Sequence, residues 1–264
     1  MIFATDLDRT MIFSEKFLND KNKDLVVGYQ DGKIKSYMTC KAEKILNELK
    51  VKITVIPCTT RSREQFERIP YFQDCKYIVC ANGAIILKNG QEDPQWKMVM
   101  QENLFMCIKE LKEYKEQLEQ KNFVTENKVS IVDGYFLFFK VKSNLKMKCQ
   151  EYLETLLNKK KFYYSISGKK VYIFPSFISK ESALKYLIDR IGDNSVIVAG
   201  DSELDFGMIN LATKRAFIPV YEVKNFDNKM KNITFIHNSG IFSGELILEE
   251  VKNIVEKEEH VDVN

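Results

Sequence analysis

The pattern that most constrains this chain is a series of short apolar runs separated by amphipathic helical segments. The runs, which are rich in β-branched residues, are MIFATD at 1–6, ITVIPC at 53–58 and NSVIVAG at 194–200. Helical periodicity, with apolar residues on one stripe, covers 41–49, 61–69 and 182–191. Apolar runs of this length are typical of strands buried on both faces of a parallel sheet. The strand-helix alternation therefore predicts an α/β fold.

Two segments depart from this alternation. Residues 25–38 contain two extended runs around Asp31-Gly32, which predicts a hairpin after the first strand. The segment 96–176 predicts helices at 103–120 and 144–157 and strands at 129–132, 135–141, 162–166 and 171–174. This order, α-β-β-α-β-β, predicts an antiparallel α+β domain at 96–176. We expect it to be inserted into a doubly wound, Rossmann-like parallel-sheet core formed by 1–95 and 177–264.

Composition and charge exclude several classes of protein. Hydrophobic residues make up 45% of the chain, which is enough for a packed core. The net charge is only +3 and basic residues are interleaved with acidic ones, so nucleic-acid binding has little support. No apolar run reaches the ~18 residues of a membrane span, and a strand-like run already begins at Met1. We expect a cytoplasmic protein without a nucleic-acid or membrane partner, and its oligomeric state stays open.

Histidine and cysteine are too sparse and too scattered for most catalytic chemistry. The histidines are His237 and His260, and no cysteine pair has C-x-x-C spacing. This nearly excludes zinc sites, Ser-His-Asp triads and Cys-His dyads. The cysteines, which we expect to be reduced and partly buried, are Cys40, Cys58, Cys75, Cys80, Cys107 and Cys149. Catalysis by this chain would therefore depend on carboxylates.

Four polar segments follow predicted strands or begin predicted helices. They are DLDRT at 6–10, CTTRS at 58–62, the segment ISKESAL around Lys180, and AGDSELD at 199–205. Taken singly, each is an ordinary turn or helix-capping segment. Taken together, they lie where α/β sheets bind ligands, because the carboxyl ends of parallel strands share one edge.

Carboxylates are the main chemical groups in these segments. Asp6, Asp8, Asp201 and Asp205 would share one sheet edge, where like charges repel unless a cation lies among them. Oxygen ligands without nearby histidine or cysteine favour a hard ion, and Mg²⁺ is the usual one when phosphate is also bound. The sequence therefore predicts a magnesium site.

Lys180 indicates an anionic ligand. It stands in the first turn of a predicted helix, where a cation opposes the helix dipole. This position is explained if the partner is an anion. The helix N-terminus, the Lys180 ammonium group, and the hydroxyl and amide of Thr59 would together form a receptor for phosphoryl oxygens.

In their order, the four segments resemble the motifs of the haloacid dehalogenase superfamily, which read D-x-D-x-T, Ser/Thr, Lys and G-D-x-x-x-D. The predicted insert is similar to the type IIB cap of this superfamily, which occurs in Cof-like and sucrose-phosphatase-like sugar phosphatases. Asn82-Gly83-Ala84 also resembles the N-G-A signature of that branch. The resemblance covers nearly the whole chain.

The resemblance implies specific roles for the acidic residues. Asp6 would be the nucleophile that attacks phosphorus to form an aspartyl-phosphate, and Asp8 would be the general acid and base. Mg²⁺ would be held by Asp6, the main-chain carbonyl of Asp8, and Asp201. Asp205 would be either a further ligand or a support for the others.

The resemblance also implies which residues bind phosphate, and it shows two departures from the usual motifs. Thr59 and Lys180 would bind the phosphoryl oxygens. Thr60 replaces the usual glycine and adds a side chain close to the phosphate. Arg61 would reach the phosphate or form a surface ion pair, and both options stay open. Leu204 replaces the usual asparagine and removes a polar contact.

These features predict a Mg²⁺-dependent phosphomonoester hydrolase for a small phosphorylated metabolite such as a sugar phosphate. The segment 96–176 contains 15 Lys and 9 Asp+Glu, a balance of +6, and we expect it to recognise the substrate's leaving group. One alternative is a phosphomutase, in which phospho-Asp6 reacts with a re-oriented sugar instead of water. Another is a non-hydrolytic, phosphate-binding regulatory protein of a bacterial stress-response operon.

Overall fold

A computed structural model describes residues 1–18, 26–31, 33–220, 232–237 and 240–261 of the protein. The chain divides into two compact units. One unit comprises Met1–Glu92 and Lys180–Asn264, and the other comprises Asp93–Ser179.

A parallel sheet lies at the centre of the first unit. Its strands are β1 (Ile2–Thr5), β4 (Thr54–Pro57), β12 (Val196–Ala199), β13 (Arg215–Pro219) and β14 (Ile233–Ile236). Within the described residues, the order is β14-β13-β12-β1-β4 and every neighbouring pair is parallel. β1 and β12 are buried along their whole length, as their uninterrupted apolar sequences require. The predicted α/β fold class is confirmed.

β13 and β14 extend the sheet beyond the strands that the sequence predicted. Their sequences are RAFIP and ITFI, which are only 5 and 4 residues long. Length does not set them apart from the predicted strands, because β1, β4 and β12 are each four residues long as well. The sheet itself stabilises them, because β13 pairs with the buried strand β12 and β14 pairs with β13.

Helices complete the first unit: α1 (Cys40–Lys52), α2 (Arg63–Glu67), α6 (Lys180–Ile191), α7 (Phe206–Ile209) and α8 (Phe242–Val261). The hydroxyl of Thr39 accepts the amide N–H of Ala42 at 3.0 Å and so caps α1. α1 packs against α8, and α6 packs against α7. Among the described residues, no helix is both long and apolar enough to span a bilayer.

In the described part of this unit, two smaller sheets accompany the parallel sheet. The predicted hairpin is present as the antiparallel strands β2 (Val26–Asp31) and β3 (Lys33–Thr39), and its turn residue Gly32 lies outside the described residues. β5 (Tyr77–Cys80), β6 (Ile85–Lys88) and β7 (Gln91–Glu92) form an antiparallel sheet. A parallel bridge between Cys58 and Val79 joins β5 to the chain just after β4.

The second unit, which is described throughout, contains an antiparallel sheet and three helices. The strands, in the order β10-β11-β9-β8, are β8 (Val124–Val132), β9 (Phe136–Val141), β10 (Phe162–Ser167) and β11 (Lys170–Pro175). The helices are α3 (Pro94–Phe105), α4 (Ile108–Glu119) and α5 (Lys146–Leu156). An apolar core joins α4 and α5 to the sheet through side chains such as Leu111, Leu137 and Leu153.

The single helix predicted at 103–120 is wrong, because the chain forms α3 and α4 there. α3 begins at Pro94, where the carboxylate of Asp93 accepts the amide N–H groups of Gln95 and Trp96 at 3.1 and 2.9 Å. The helix breaks at Cys107, whose backbone is not helical. Periodicity did not indicate α3, because Trp96 is buried while Phe105 at its end is 81% exposed.

All six cysteines are free thiols, and every one except Cys40 is buried. Burial raises the pKa of Cys58, Cys75 and Cys149 to about 12, so these thiols stay protonated at neutral pH. The buried cysteines therefore act as small apolar side chains.

Candidate active site

The ends of two neighbouring strands bring acidic residues together. Asp6 follows β1 and Asp201 follows β12, and Thr5 is in register with Ala199. The amide N–H of Asp6 donates to the carbonyl of Ala199 at 2.9 Å. One carboxylate oxygen from each of Asp6, Asp201 and Asp205 lies within 4.8 Å of the others. The parallel pairing of β1 and β12 creates this acidic cluster, although 194 residues separate Asp6 from Asp201.

Asp205 organises the loop after β12. Its Oδ2 accepts the amide N–H groups of Asp201 and Ser202 at 3.2 and 2.9 Å, and the Ser202 hydroxyl at 2.8 Å. The loop passes so close to Asp205 that a Cβ on Gly200 would lie 2.5 Å from the Asp205 Cβ. A glycine at position 200 is therefore required for this packing.

Lys180 lies inside the acidic cluster. It is the first residue of α6, and its side chain is only 1% exposed. Its Nζ donates to Oδ1 of Asp6 at 2.5 Å and to Oδ1 of Asp205 at 2.7 Å. The position of Lys180 at the start of the helix is thus explained by two carboxylates of the protein itself.

Burial and charge determine the protonation of this cluster. Burial raises the pKa of Asp6 well above its ordinary value, and although Lys180 lowers it, Asp205 and Asp201 raise it further. Burial alone would lower the pKa of Lys180, but Asp205 and Asp6 outweigh that effect and raise it. The two carboxylates therefore favour the charged form of Lys180, while burial disfavours the ionised form of Asp6.

Asp8 is held by Arg61. Nε of Arg61 lies 2.7 Å from Oδ2 of Asp8, and Nη2 lies 2.7 Å from Oδ1, so the contact is bidentate. Nη2 of Arg61 also lies 3.4 Å from the hydroxyl of Ser36 on β3. Of the two options left open for Arg61, the structure shows an ion pair, and it joins the loop after β4 to the loop after β1.

Thr59 follows β4 in a loop whose backbone is fixed by hydrogen bonds. Its side chain is buried, and its amide N–H donates to the carbonyl of Val79 at 2.8 Å. The Thr59 hydroxyl accepts the amide N–H of Arg61 at 3.1 Å. The hydroxyl of Thr60 lies 3.5 Å from Oδ1 of Asn82.

The turn at 81–83 holds this loop in place. Ala81, Asn82 and Gly83 all have left-handed backbones, with φ of 51°, 57° and 104°. The amide N–H of Ala81 donates to the carbonyl of Arg61 at 2.8 Å, and that of Asn82 donates to the carbonyl of Thr59 at 2.9 Å. Asparagine and glycine tolerate this conformation best, which explains the Asn-Gly pair in the sequence.

Ser202 and Arg9 lie beside the acidic cluster and were given no role from the sequence. Ser202 donates its hydroxyl to Asp205, as described above. Arg9 has a left-handed backbone, with φ of 69°, and its Nε lies 3.2 Å from Oδ2 of Asp201. Arg9 lies within DLDRT, but an arginine in a turn carries no sequence signal for this contact.

The donor atoms of the acidic cluster fit a hard divalent cation. They are carboxylate oxygens of Asp6, Asp201 and Asp205. Cys58 is close enough for its pKa to respond to Lys180 and Asp6, but burial keeps its thiol protonated, so it does not supply a thiolate. An oxygen-only set of this kind suits Mg²⁺ better than a soft transition metal.

The sequence matches a family model described as haloacid dehalogenase-like hydrolase over residues 98–234, just over half of the chain. The matched residues include Lys180, Asp201 and Asp205. The chain therefore belongs to the haloacid dehalogenase-like hydrolase family, and the resemblance found in the sequence is confirmed. None of the curated proteins compared with the sequence matches it.

Solved structures resemble the chain along nearly its full length. Sucrose-phosphatase from Synechocystis sp. PCC6803, in complex with sucrose and phosphate, is 16% identical with a TM-score of 0.63, over 96% of this chain and 97% of that one. A trehalose-6-phosphate phosphatase related protein is 14% identical with a TM-score of 0.61, over 98% and 100%. A haloacid dehalogenase-like hydrolase from B. subtilis is 14% identical with a TM-score of 0.58, over 94% and 98%. At these identities the similarities show a shared fold.

Proposed function

We propose that this hydrolase is a Mg²⁺-dependent phosphatase that cleaves a small phosphorylated metabolite through an aspartyl-phosphate on Asp6. The observation that supports it most directly is the buried carboxylate of Asp6, which is bonded to Lys180 and lies within 4.8 Å of a carboxylate oxygen of Asp201. A carboxylate suited to act as the nucleophile, an ammonium group and carboxylate oxygens suited to a cation are thus close together. This combination suits phosphoryl transfer.

In the proposed mechanism, a carboxylate oxygen of Asp6 attacks phosphorus and the bond from phosphorus to the leaving oxygen breaks. Asp8 in its protonated form, with one oxygen released from Arg61, gives its proton to that oxygen, and the alcohol departs. Asp8 then takes a proton from water, which attacks the phosphorus of phospho-Asp6 and releases inorganic phosphate. Thr59 and Lys180 would bind the phosphoryl oxygens during both steps.

Mg²⁺, held by Asp6, the carbonyl of Asp8, and Asp201, would neutralise negative charge on the nucleophile and the phosphoryl group. We assign Asp205 a supporting role instead of direct metal binding. Its Oδ1 already accepts from Lys180, and its Oδ2 accepts three donors from the loop after β12. Those contacts keep Lys180 and Asp201 in place.

We further propose that Met1–Glu92 with Lys180–Asn264 is the catalytic core and that Asp93–Ser179 is a cap that recognises the leaving group. A sugar phosphate is the substrate class we favour. The fold shared with a sucrose-phosphatase supports this choice, because that protein was solved with a sugar and phosphate bound. The excess of lysine in 96–176 suits recognition of an anionic substrate.

The first test is hydrolysis of p-nitrophenyl phosphate by the purified protein with Mg²⁺ and with EDTA. We expect phosphate release in Mg²⁺ and a loss of at least about 10²-fold in EDTA, since the cation stabilises charge in the transition state. Equal rates in both conditions would contradict the metal requirement, and no release in either would favour a non-hydrolytic protein. With a hexose 1-phosphate as substrate, formation of a hexose 6-phosphate instead of phosphate would identify a mutase.

A second prediction concerns the ion pair of Arg61 with Asp8. We expect Arg61→Met to lower kcat for an alkyl phosphate by about 10²-fold, because a misplaced general acid no longer protonates the leaving alkoxide. For p-nitrophenyl phosphate the loss should stay below about tenfold, since p-nitrophenolate leaves without full protonation. Steady-state kinetics on both substrates measure the difference.

Arg61→Lys is the conservative control for this prediction. It keeps the charge beside Asp8 but loses the bidentate contact, so we expect an intermediate loss for the alkyl phosphate. A rise in KM that is equal for both substrates, with kcat unchanged, would show instead that Arg61 binds the phosphate.

A further inference from the structure

Arg9 has a backbone conformation that favours glycine. Its φ of 69° lies in the left-handed region, where a Cβ is unfavourable. The loop imposes this conformation: the amide N–H of Arg9 donates to the carbonyl of Ile12 at 2.8 Å, and the carbonyl of Leu7 accepts the amides of Thr10 and Met11. Residues with a strained backbone cluster at functional sites, so we expect the Arg9 side chain to have a functional role.

The side chain of Arg9 reaches the acidic cluster. Its Nε lies 3.2 Å from Oδ2 of Asp201, whose side chain is 7% exposed. Lys180 donates to the other two carboxylates of the cluster, those of Asp6 and Asp205. Each carboxylate of the cluster therefore has a cationic partner within the protein. This explains how the fold accommodates these acids before a metal ion binds.

Lys180 and Arg9 differ in how easily each can move away from its carboxylate partners. The Lys180 side chain is 1% exposed and fixed between two carboxylates, whereas that of Arg9 is 37% exposed. Although the Arg9 Nε is itself buried, more than a third of the side chain is exposed, so the guanidinium has a route to solvent that the Lys180 ammonium group lacks. Arg9 is thus the partner that a metal ion can displace.

We propose that Arg9 is an internal counter-charge that competes with Mg²⁺ for Asp201. The inference rests on the proposed function, in which Asp201 is a ligand of Mg²⁺. A divalent cation at Asp201 repels the nearby guanidinium and takes its carboxylate partner, so binding of Mg²⁺ requires the Arg9–Asp201 pair to weaken or separate. Arg9 therefore lowers the affinity of the site for Mg²⁺ while stabilising the metal-free protein.

The test is direct titration of Mg²⁺ into the metal-free, full-length protein by isothermal titration calorimetry. Arg9→Asn removes the charge with a residue that tolerates the left-handed backbone, and Arg9→Gly removes both the charge and the strain. We expect both variants to bind Mg²⁺ about tenfold more tightly than wild type. Arg9→Lys keeps a positive charge and should bind within about threefold of wild type.

Two controls separate charge at this position from other effects. Arg63→Asn removes an arginine of similar exposure, 40%, whose partner is Glu67 on the same helix, and it should leave the affinity for Mg²⁺ unchanged. Thermal unfolding in EDTA separates strain from charge. Arg9→Gly should be more stable than Arg9→Asn, although the two bind Mg²⁺ equally well.

Each outcome of the titration either supports or contradicts the proposal. If wild type binds Mg²⁺ and Arg9→Asn binds it equally well or more weakly, Arg9 does not compete with Mg²⁺ for Asp201. Weaker binding by Arg9→Asn would show instead that Arg9 orients Asp201 for the metal. If Mg²⁺ binds to none of the proteins, both this inference and the metal requirement of the proposed function are wrong. Tighter binding by Arg9→Asn and Arg9→Gly, but not by Arg63→Asn, supports the competition.

Discussion

Asp6→Asn is expected to abolish phosphatase activity and, in the absence of metal, to make the protein more stable. The carboxamide of asparagine does not attack phosphorus, so we expect kcat for p-nitrophenyl phosphate to fall by at least about 10³-fold. Incubation with a phosphate ester labelled at phosphorus, followed by acid quenching, should leave a covalently bound, labelled phosphoryl group on the wild type and none on the variant.

The gain in stability follows from the pKa of Asp6. Burial raises this pKa well above its value of 3.8 in the unfolded chain, with further contributions from Asp205 and Asp201 that Lys180 only partly offsets. The folded state therefore binds more protons than the unfolded state, and stability falls as the pH rises from about 3.8 through the folded pKa. Asparagine is nearly isosteric and neutral, so it removes this penalty.

Thermal unfolding in EDTA at several pH values measures the effect. The Tm of Asp6→Asn should exceed that of wild type at neutral pH, and the difference should shrink as the pH falls toward 4. Asp8→Asn is the matched control. Its side chain is 54% exposed and paired with Arg61, so the substitution should lower activity without raising Tm. If Asp6→Asn is less stable than wild type, the ion pair with Lys180 outweighs the burial of Asp6.

The sequence predicted the fold where apolar runs rich in β-branched residues and the parallel-strand rule were sufficient. β1, β4 and β12 were recognisable as buried apolar runs, and the rule that their carboxyl ends share one edge brought Asp6 and Asp201 together in advance. The sequence did not reveal α3, whose start depends on the cap by Asp93. Nor did it reveal β13 and β14, which depend on pairing with β12 and β13 respectively. These elements are stabilised by contacts that local periodicity does not encode.

The pairing of side chains within the site was less predictable than their presence. From the sequence, Arg61 could either reach the phosphate or form a surface ion pair, and the structure shows its Nε and Nη2 on the two carboxylate oxygens of Asp8. Lys180 was interpreted as a ligand for phosphate, yet it also bonds Asp6 and Asp205. Such choices depend on which rotamers are compatible with the loops, and residue spacing does not specify rotamers.

Lys180→Met is expected to have the largest effect on stability of any single substitution in the site. The methionine matches the shape of lysine but leaves the carboxylates of Asp6 and Asp205 buried without the ammonium group that both contact. Removing one partner of a buried ion pair costs about 3–5 kcal/mol. We expect a loss of this size in chemical denaturation at neutral pH, together with loss of phosphatase activity.

Lys50→Met is the control for replacing a lysine stem by methionine. The Lys50 side chain is 11% exposed, but its acidic partner Asp74 is 64% exposed and stays hydrated after the substitution. We therefore expect Lys50→Met to cost no more than about 1 kcal/mol. Equal losses from the two substitutions would show that packing of the stem, and not the charge of Lys180, stabilises the site.

The double variant Lys180→Met/Asp6→Asn tests whether the unpaired carboxylate of Asp6 causes the loss of stability in Lys180→Met. It leaves Asp205 with the three donors of its own loop, so it should recover a large part of the stability lost in Lys180→Met while remaining inactive. Lys180 is also the charge that lowers the pKa of Asp6, so without it that carboxyl group takes up a proton more readily. The deficit of Lys180→Met should accordingly shrink as the pH falls, whereas a defect of packing would not respond to pH.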